Sequence, residues 1–266
     1  MRMPSLFFGH GSPMIALQTN DVTRRWAEIA REVNTRYARP RAILCISGHW
    51  LTKGVAVTAM ENPPTIHDFG RFPQALFDVQ YPAPGSPGLA EEVARLLAPE
   101  PVICDRSEWG LDHGTWSVLV KAYPQADIPV VQLSMDVTRP PEWHYEIGRR
   151  LRALRDDGVL IIGTGNIVHN LPRMDWSNQH GAPFPWARAF NDHIREAILA
   201  DRPADVVNFM EQGEAARQSV PSPDHFWPLL YVVGSREAGD RVEFGPDHIE
   251  YGSLSMTSVA FWPEAA

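Results

Sequence analysis

The chain has 266 residues, 44% of them hydrophobic and 21% charged, enough to bury a sizeable core without disulfide staples. A net charge of −8, a pI near 5.7 and the lack of any Lys/Arg cluster argue against a nucleic-acid or anionic-membrane partner. No run approaches the ~20 apolar residues of a membrane helix, the first apolar run is too short for a signal peptide, and Cys45 and Cys104 read as reduced thiols, so a cytoplasmic protein is expected.

The first apolar run ends in Gly9-His10-Gly11-Ser12-Pro13, which places an imidazole where a strand gives out. Asn20 then caps a predicted helix with Val22, Trp26, Ile29, Ala30 and Val33 on one face, ending before Arg39-Pro40. The strand at Ala42 to Ser47 runs into Gly48-His49-Trp50, repeating the glycine-histidine ending. Val55 to Ala59 reads as a neighbouring strand. The proline- and aromatic-rich stretch from Asn62 to Pro87, holding His67, Asp68 and Phe69, reads as an ordered loop over a pocket. Ser86-Pro87 opens a helix burying Leu89, Val93, Leu96 and Leu97, and Pro101 to Cys104 forms a short strand.

Trp109 to Trp116 carries another glycine-flanked histidine, His113, ahead of a short helix from Ser117 to Tyr123. A strand over Pro129 to Met135 and a helix from Pro140-Pro141 lead to a third apolar run, Val159 to Ile162, which passes through Gly163-Thr164-Gly165-Asn166 to His169. Helices are expected over Trp186 to Ala200 and Ala204 to Met210, His225 in the first turn of a helix, and a closing alternating strand from Ile249 to Val259. Strands alternating with helices, with no linker between them, predict a single α/β domain over residues 1–266, with a mainly parallel or mixed central sheet and helices on both faces. Parallel sheets hold their ligands beyond the carboxyl ends of the strands, so three such strands bring His10, His49 and His169 to one rim.

Of the ten histidines, His144, His180, His193 and His248 sit in helical or polar surroundings and read as surface or locally bonded imidazoles. The six in loops rich in Gly, Pro and aromatics are the candidates, because neutral imidazole is both a common metal ligand and a base matched to neutral pH. No HExxH, CxxC or close histidine pair is present, and spacing alone leaves a metal site and a set of structural imidazoles both open. Dinucleotide, P-loop and GxSxG patterns are missing. Asp68, Asp112 and Asp224 each neighbour a candidate histidine, to orient it or to cap a turn.

Together, Gly9-His10-Gly11-Ser12-Pro13, Ser47-Gly48-His49-Trp50, Pro63 to Phe69, Gly110-Leu111-Asp112-His113-Gly114, Gly165 to Asn170 and Pro223-Asp224-His225 resemble the class III extradiol ring-cleavage dioxygenases, in their DOPA 4,5-dioxygenase-like branch. The match runs to Gly252-Ser253-Leu254-Ser255-Met256 and so covers nearly the whole chain. The resemblance implies a non-haem Fe(II) site that binds a catechol through both hydroxyls with O2 beside it, and a ring-opened semialdehyde product. It implies His10 and His49 as metal ligands and His225 as the third, with Glu250 as the fallback. His169 is then the catalytic base, close enough to be a fourth ligand, and His113 a pocket histidine touching substrate or oxygen. An all-histidine set suits Zn2+ as well as iron, and relatives in this branch are often seen with zinc. Phe69, Trp50, Trp227 and Tyr251 are candidate walls for an aromatic diol. A zinc hydrolase on the same histidines and a non-catalytic metal-binding scaffold are the rival functions, and a monomer or small homo-oligomer is expected.

Overall fold

The apolar runs become the centre of a mixed eight-stranded sheet in a computed structural model that describes residues 1–264. The strands are β1 (Ser5–Gly9), β2 (Ala42–Thr52), β3 (Val55–Thr58), β4 (Val102–Asp105), β5 (Val130–Asp136), β6 (Val159–Gly165), β7 (Arg241–Phe244), β8 (Ile249–Glu250), β9 (Leu254–Ser255) and β10 (Val259–Trp262). Their order in the large sheet is β4-β3-β5-β2-β6-β1-β10-β7, and β8 and β9 form a separate pair. β5, β2, β6 and β1 run parallel to one another, while β3 joins β5 and β10 joins β1 in antiparallel fashion.

Period-two alternation sends successive residues of the central strands to opposite faces, and both faces are covered. Phe7, Leu44, Ile46 and Ile161 pack with one group of helices, whereas Leu6, Phe8, Cys45 and Ile162 pack with the other. The helices are α1 (Asp21–Arg36), α2 (Gln74–Phe77), α3 (Pro87–Leu96), α4 (His113–Ala122), α5 (Pro141–Leu151), α6 (Pro185–Leu199), α7 (Pro203–Val207), α8 (Glu214–Ser219) and α9 (Trp227–Gly234). Helices α1 and α4 cover one face through Trp26, Val33, Trp116 and Leu119, and α3, α5, α6 and α9 cover the other. Asn20 caps α1 as expected, its side chain accepting the Thr23 N–H at 3.0 Å while the Thr23 hydroxyl returns to the Asn20 N–H.

Four expectations are corrected. The closing strand is broken: Ile249–Glu250 turns back on Leu254–Ser255 through Tyr251 and Gly252, whose φ values of +50° and +76° end any extended run. The sheet strand is instead β10, further on. Helix α4 begins at His113 and not Ser117, because Asp112 is a cap whose side chain accepts the Thr115 N–H at 3.1 Å. The helix expected to reach Met210 stops at Val207, and His225 lies in the turn just ahead of α9, outside its first turn. Among the described residues no helix is long and apolar enough to cross a membrane.

His144 is fully buried, stacked on Trp227 at 4.2 Å and sharing a 2.9 Å hydrogen bond with the Tyr231 hydroxyl. Burial lowers its pKa from the usual 6.5 to about 4. The unfolded chain therefore binds this proton first, and the stabilisation present above pH 6.5 is lost as pH falls towards 4. That loss is on the order of 3 kcal/mol. His144→Gln keeps a polar partner for Tyr231 and cannot titrate. Its melting temperature is expected to fall less steeply between pH 6.5 and 4 than that of the parent, as scanning calorimetry across that range would show.

Candidate metal centre

The carboxyl ends of β2, β6 and β1 lie side by side, with Ser47 opposite Thr164 and Gly9 opposite Gly165. His10 follows directly, its N–H bonded to the Gly165 carbonyl at 3.0 Å, and His49 stands two residues beyond Ser47 on β2. His225 is delivered from the far side: the Asn166 N–H bonds to the His225 carbonyl at 2.8 Å, so the entry to α9 rides directly over the end of β6. Gly165 permits that approach, since a Cβ there would stand 2.1 Å from the His225 carbonyl oxygen. Gly114 does the same on α4, where a Cβ would lie 2.7 Å from the His49 ring.

The three imidazoles converge. His10 Nε2 and His49 Nε2 are 3.2 Å apart, and one ring nitrogen of each of His10, His49 and His225 lies within 4.8 Å of the others. His169 stacks on His225 with ring centroids 3.6 Å apart and planes 4° from parallel. His113 lies over His49 at 3.8 Å. The cluster is deep, with His10 at 0%, His225 at 5% and His113 at 6% exposure.

Two carboxylates orient the rings. His225 Nδ1–H donates to Asp224 Oδ2 at 2.6 Å, which turns Nε2 towards the centre. Asp68 Oδ1 accepts the His113 N–H at 2.9 Å and stands 3.0 Å from His113 Nδ1, while its other oxygen is 3.8 Å from His49 Nδ1. Asp112 caps α4 and bonds Gln132. Burial favours a neutral Asp224 and a neutral Asp68, but the contacts with His225 and His113 outweigh it and hold both carboxyls below their usual range. Burial, reinforced by the neighbouring imidazoles, holds His10 and His49 far below 6.5 and His169 at about 3. All three are neutral at pH 7, the form with a lone pair to offer.

This donor set fits one divalent metal. Zn–N or similar bonds of about 2.0–2.1 Å to two imidazoles separate the nitrogens by roughly 3.0–3.4 Å, the spacing found between His10 and His49. His10 Nδ1 is buried without a partner, and Nε2 meets His49 Nε2. A second grouping, His49 with Asp68 and His113, shares His49 but lacks His10 and His225.

Other expected residues lie apart. Glu250 belongs to neither group; its carboxylate accepts from Gln179 Nε2 at 3.1 Å and lies 3.3 Å from His248 Nε2. His67 donates Nε2–H to the Val79 carbonyl at 2.9 Å and packs among Phe69, Phe77 and Trp116. Trp50 stacks on Trp109 and Trp227 on His144. Phe69 meets His113 edge-on at 5.4 Å, and Tyr251 lines a cavity of about 360 Å3 with Ser12, Met14, Phe72, Trp176 and Gln179. The sequence reading missed Trp176 and Gln179, which sit in a polar loop without periodicity or glycine flanks.

Residues 5–262 match the family described as the catalytic LigB subunit of aromatic ring-opening dioxygenase. The chain belongs to this family. It is an aromatic ring-opening dioxygenase, an oxidoreductase. The chain is 49% identical over 263 residues to the 4,5-DOPA dioxygenase extradiol of Escherichia coli, covering 97% of this chain and 94% of that one. It is 35% identical to the 4,5-DOPA dioxygenase extradiol of Beta vulgaris over 97% of this chain and 96% of the other. A crystal structure of an uncharacterized protein from Escherichia coli K12 superposes with a TM-score of 0.83 at 43% identity, over 98% of this chain and 100% of that one. Membership sets aside the hydrolase and the inert scaffold.

Proposed function

We propose that the chain is a single catalytic domain that opens the ring of a DOPA-like catechol with O2, using Fe(II) held by His10, His49 and His225. The 3.2 Å approach of His10 Nε2 to His49 Nε2, with His225 beside them, carries this reading. The names of the relatives, 4,5-DOPA dioxygenase extradiol, support the substrate class. Zn2+ fits the same three nitrogens and is expected as an occupant of purified protein. The reaction is placed in the cytoplasm and needs only the small aromatic diol and O2.

When bound, Fe(II) supplies a Lewis-acidic anchor for the catechol oxygens and the one-electron reactivity that O2 requires. The chain supplies the rest. His169, neutral at pH 7 and fixed against His225, takes a proton from a catechol hydroxyl. His113, held by Asp68 at the edge of Phe69, contacts the bound diol or oxygen. The ring bond beside the diol breaks and both oxygen atoms of O2 enter the product, one end as an aldehyde and the other as a carboxylate.

Anaerobic loading with Fe(II), followed by oxygen uptake and visible absorbance on adding DOPA, tests the reading. One O2 consumed per DOPA with a new yellow absorbance is expected, and the Zn2+ form is expected to be silent. Iron bound without oxygen uptake on any catechol would overturn it.

Asp224 has its own test. Asp224→Asn leaves a weaker acceptor for the His225 Nδ1–H and loosens the ring. A loss of roughly 10–100-fold in metal affinity is expected, measured by chelator competition.

A further inference from the structure

The cavity of about 360 Å3 beside the histidines has a chemical bias that the ring-cleavage reaction does not use. Two short paths connect its lining to the cluster. Ser12 lies two residues past His10, and Phe72 packs on Phe69 at 5.2 Å, which in turn meets His113. Among the described residues that line it, Glu250 is the only charged one, and no lysine, arginine or histidine faces it. Glu250 is 9% exposed and still ionised: burial raises its pKa, but the contacts with His248 and Gln179 outweigh that and lower it. Beside it, Trp176 and Tyr251 line the same wall with ring centroids 5.4 Å apart, tilted by 46°. A carboxylate that accepts from Gln179 and lies 3.3 Å from His248, beside two electron-rich rings, attracts a cation and repels an anion.

We propose that Glu250, assisted by the Trp176 and Tyr251 rings and steadied by Gln179, binds the ammonium group on the side chain of an amine-bearing catechol. The inference rests on the ring-opening reading above, and it makes Glu250 a specificity residue and not a metal ligand. Its distinguishing substrate pair is DOPA and 3-(3,4-dihydroxyphenyl)propionate, which differ only in the ammonium group.

The Fe(II)-loaded enzyme is expected to favour DOPA by about tenfold or more in kcat/KM, chiefly through KM, as one charge-assisted hydrogen bond allows. In Glu250→Gln the DOPA preference falls to near unity. Trp176→Ala removes a side chain of a residue that is 71% exposed, so folding is not at issue, and lowers the same ratio several-fold. Binding without turnover is read separately by calorimetry on the Zn2+ form. Tyrosine is expected to bind more tightly than 3-(4-hydroxyphenyl)propionate, and Glu250→Gln to erase the difference. Equal use of the two catechols by the parent, or a ratio untouched in both variants, overturns the inference and leaves the ring-opening reading intact. Turnover of neither catechol overturns the ring-opening reading, and the calorimetric pair then decides the amine site by itself.

Discussion

His225→Ala is expected to strip the protein of stoichiometric metal and to abolish ring opening. His225 is the one member of the group that comes from outside the parallel strands, and Asp224 holds it by a single 2.6 Å bond. Without it two imidazoles remain, fewer than the three protein ligands of a typical catalytic site. A Lewis acid contributes several kcal/mol to such a reaction, so turnover falls by about 10^3-fold or more at 1.36 kcal/mol per decade. The fold survives, because the 2.8 Å bond from Asn166 to residue 225 uses backbone atoms alone. His67→Ala is the control: that imidazole bonds Val79 and stands outside the cluster, so full metal content is expected. Metal analysis after dialysis against chelator-treated buffer separates the two variants. A His225→Ala protein that keeps one metal per chain would move the third ligand elsewhere.

The parallel centre of this sheet was legible because strands buried on both faces read as near-continuous apolar runs. Ser5–Gly9, Ala42–Ser47 and Val159–Gly165 announce themselves in this way, and the glycine-histidine endings follow from where such strands stop. The antiparallel margin was not legible. Arg241–Phe244 is half exposed at the sheet edge and reads as polar chain, and Ile249 to Val259 alternates like a strand although the left-handed residues Tyr251 and Gly252 fold it back. Of the site, residues at strand ends could be found from their neighbours in sequence. The grouping of His225 with His10 depends on α9 crossing β6, which no local pattern encodes. Glu250 shows the converse. The family resemblance made it the fallback ligand, and the turn that breaks the expected strand puts the carboxylate in the adjoining cavity instead.

His169→Ala carries the other large effect and separates two roles that stacking alone does not. The imidazole lies flat on His225 at 3.6 Å, near enough to the centre to ligate and placed to accept a proton. If it acts as base, the variant keeps its metal and loses about 10^2–10^4-fold in kcat, the span of a positioned proton acceptor. The backbone of residue 169 stays anchored through its N–H to the Ser219 carbonyl at 2.9 Å, so the loss is chemical and not conformational. The deficit should be largest for catechols with high hydroxyl pKa and shrink for nitrocatechols, which ionise unaided near neutral pH. Added imidazole should restore part of the rate by entering the space the ring vacates. Fe(II) affinity measured alongside supplies the second axis: unchanged affinity with a lower kcat assigns the base, whereas affinity lost in proportion to rate assigns a fourth ligand. Neutral at pH 7, His169 has the lone pair that either role requires, so the pairing of rate with affinity decides between them.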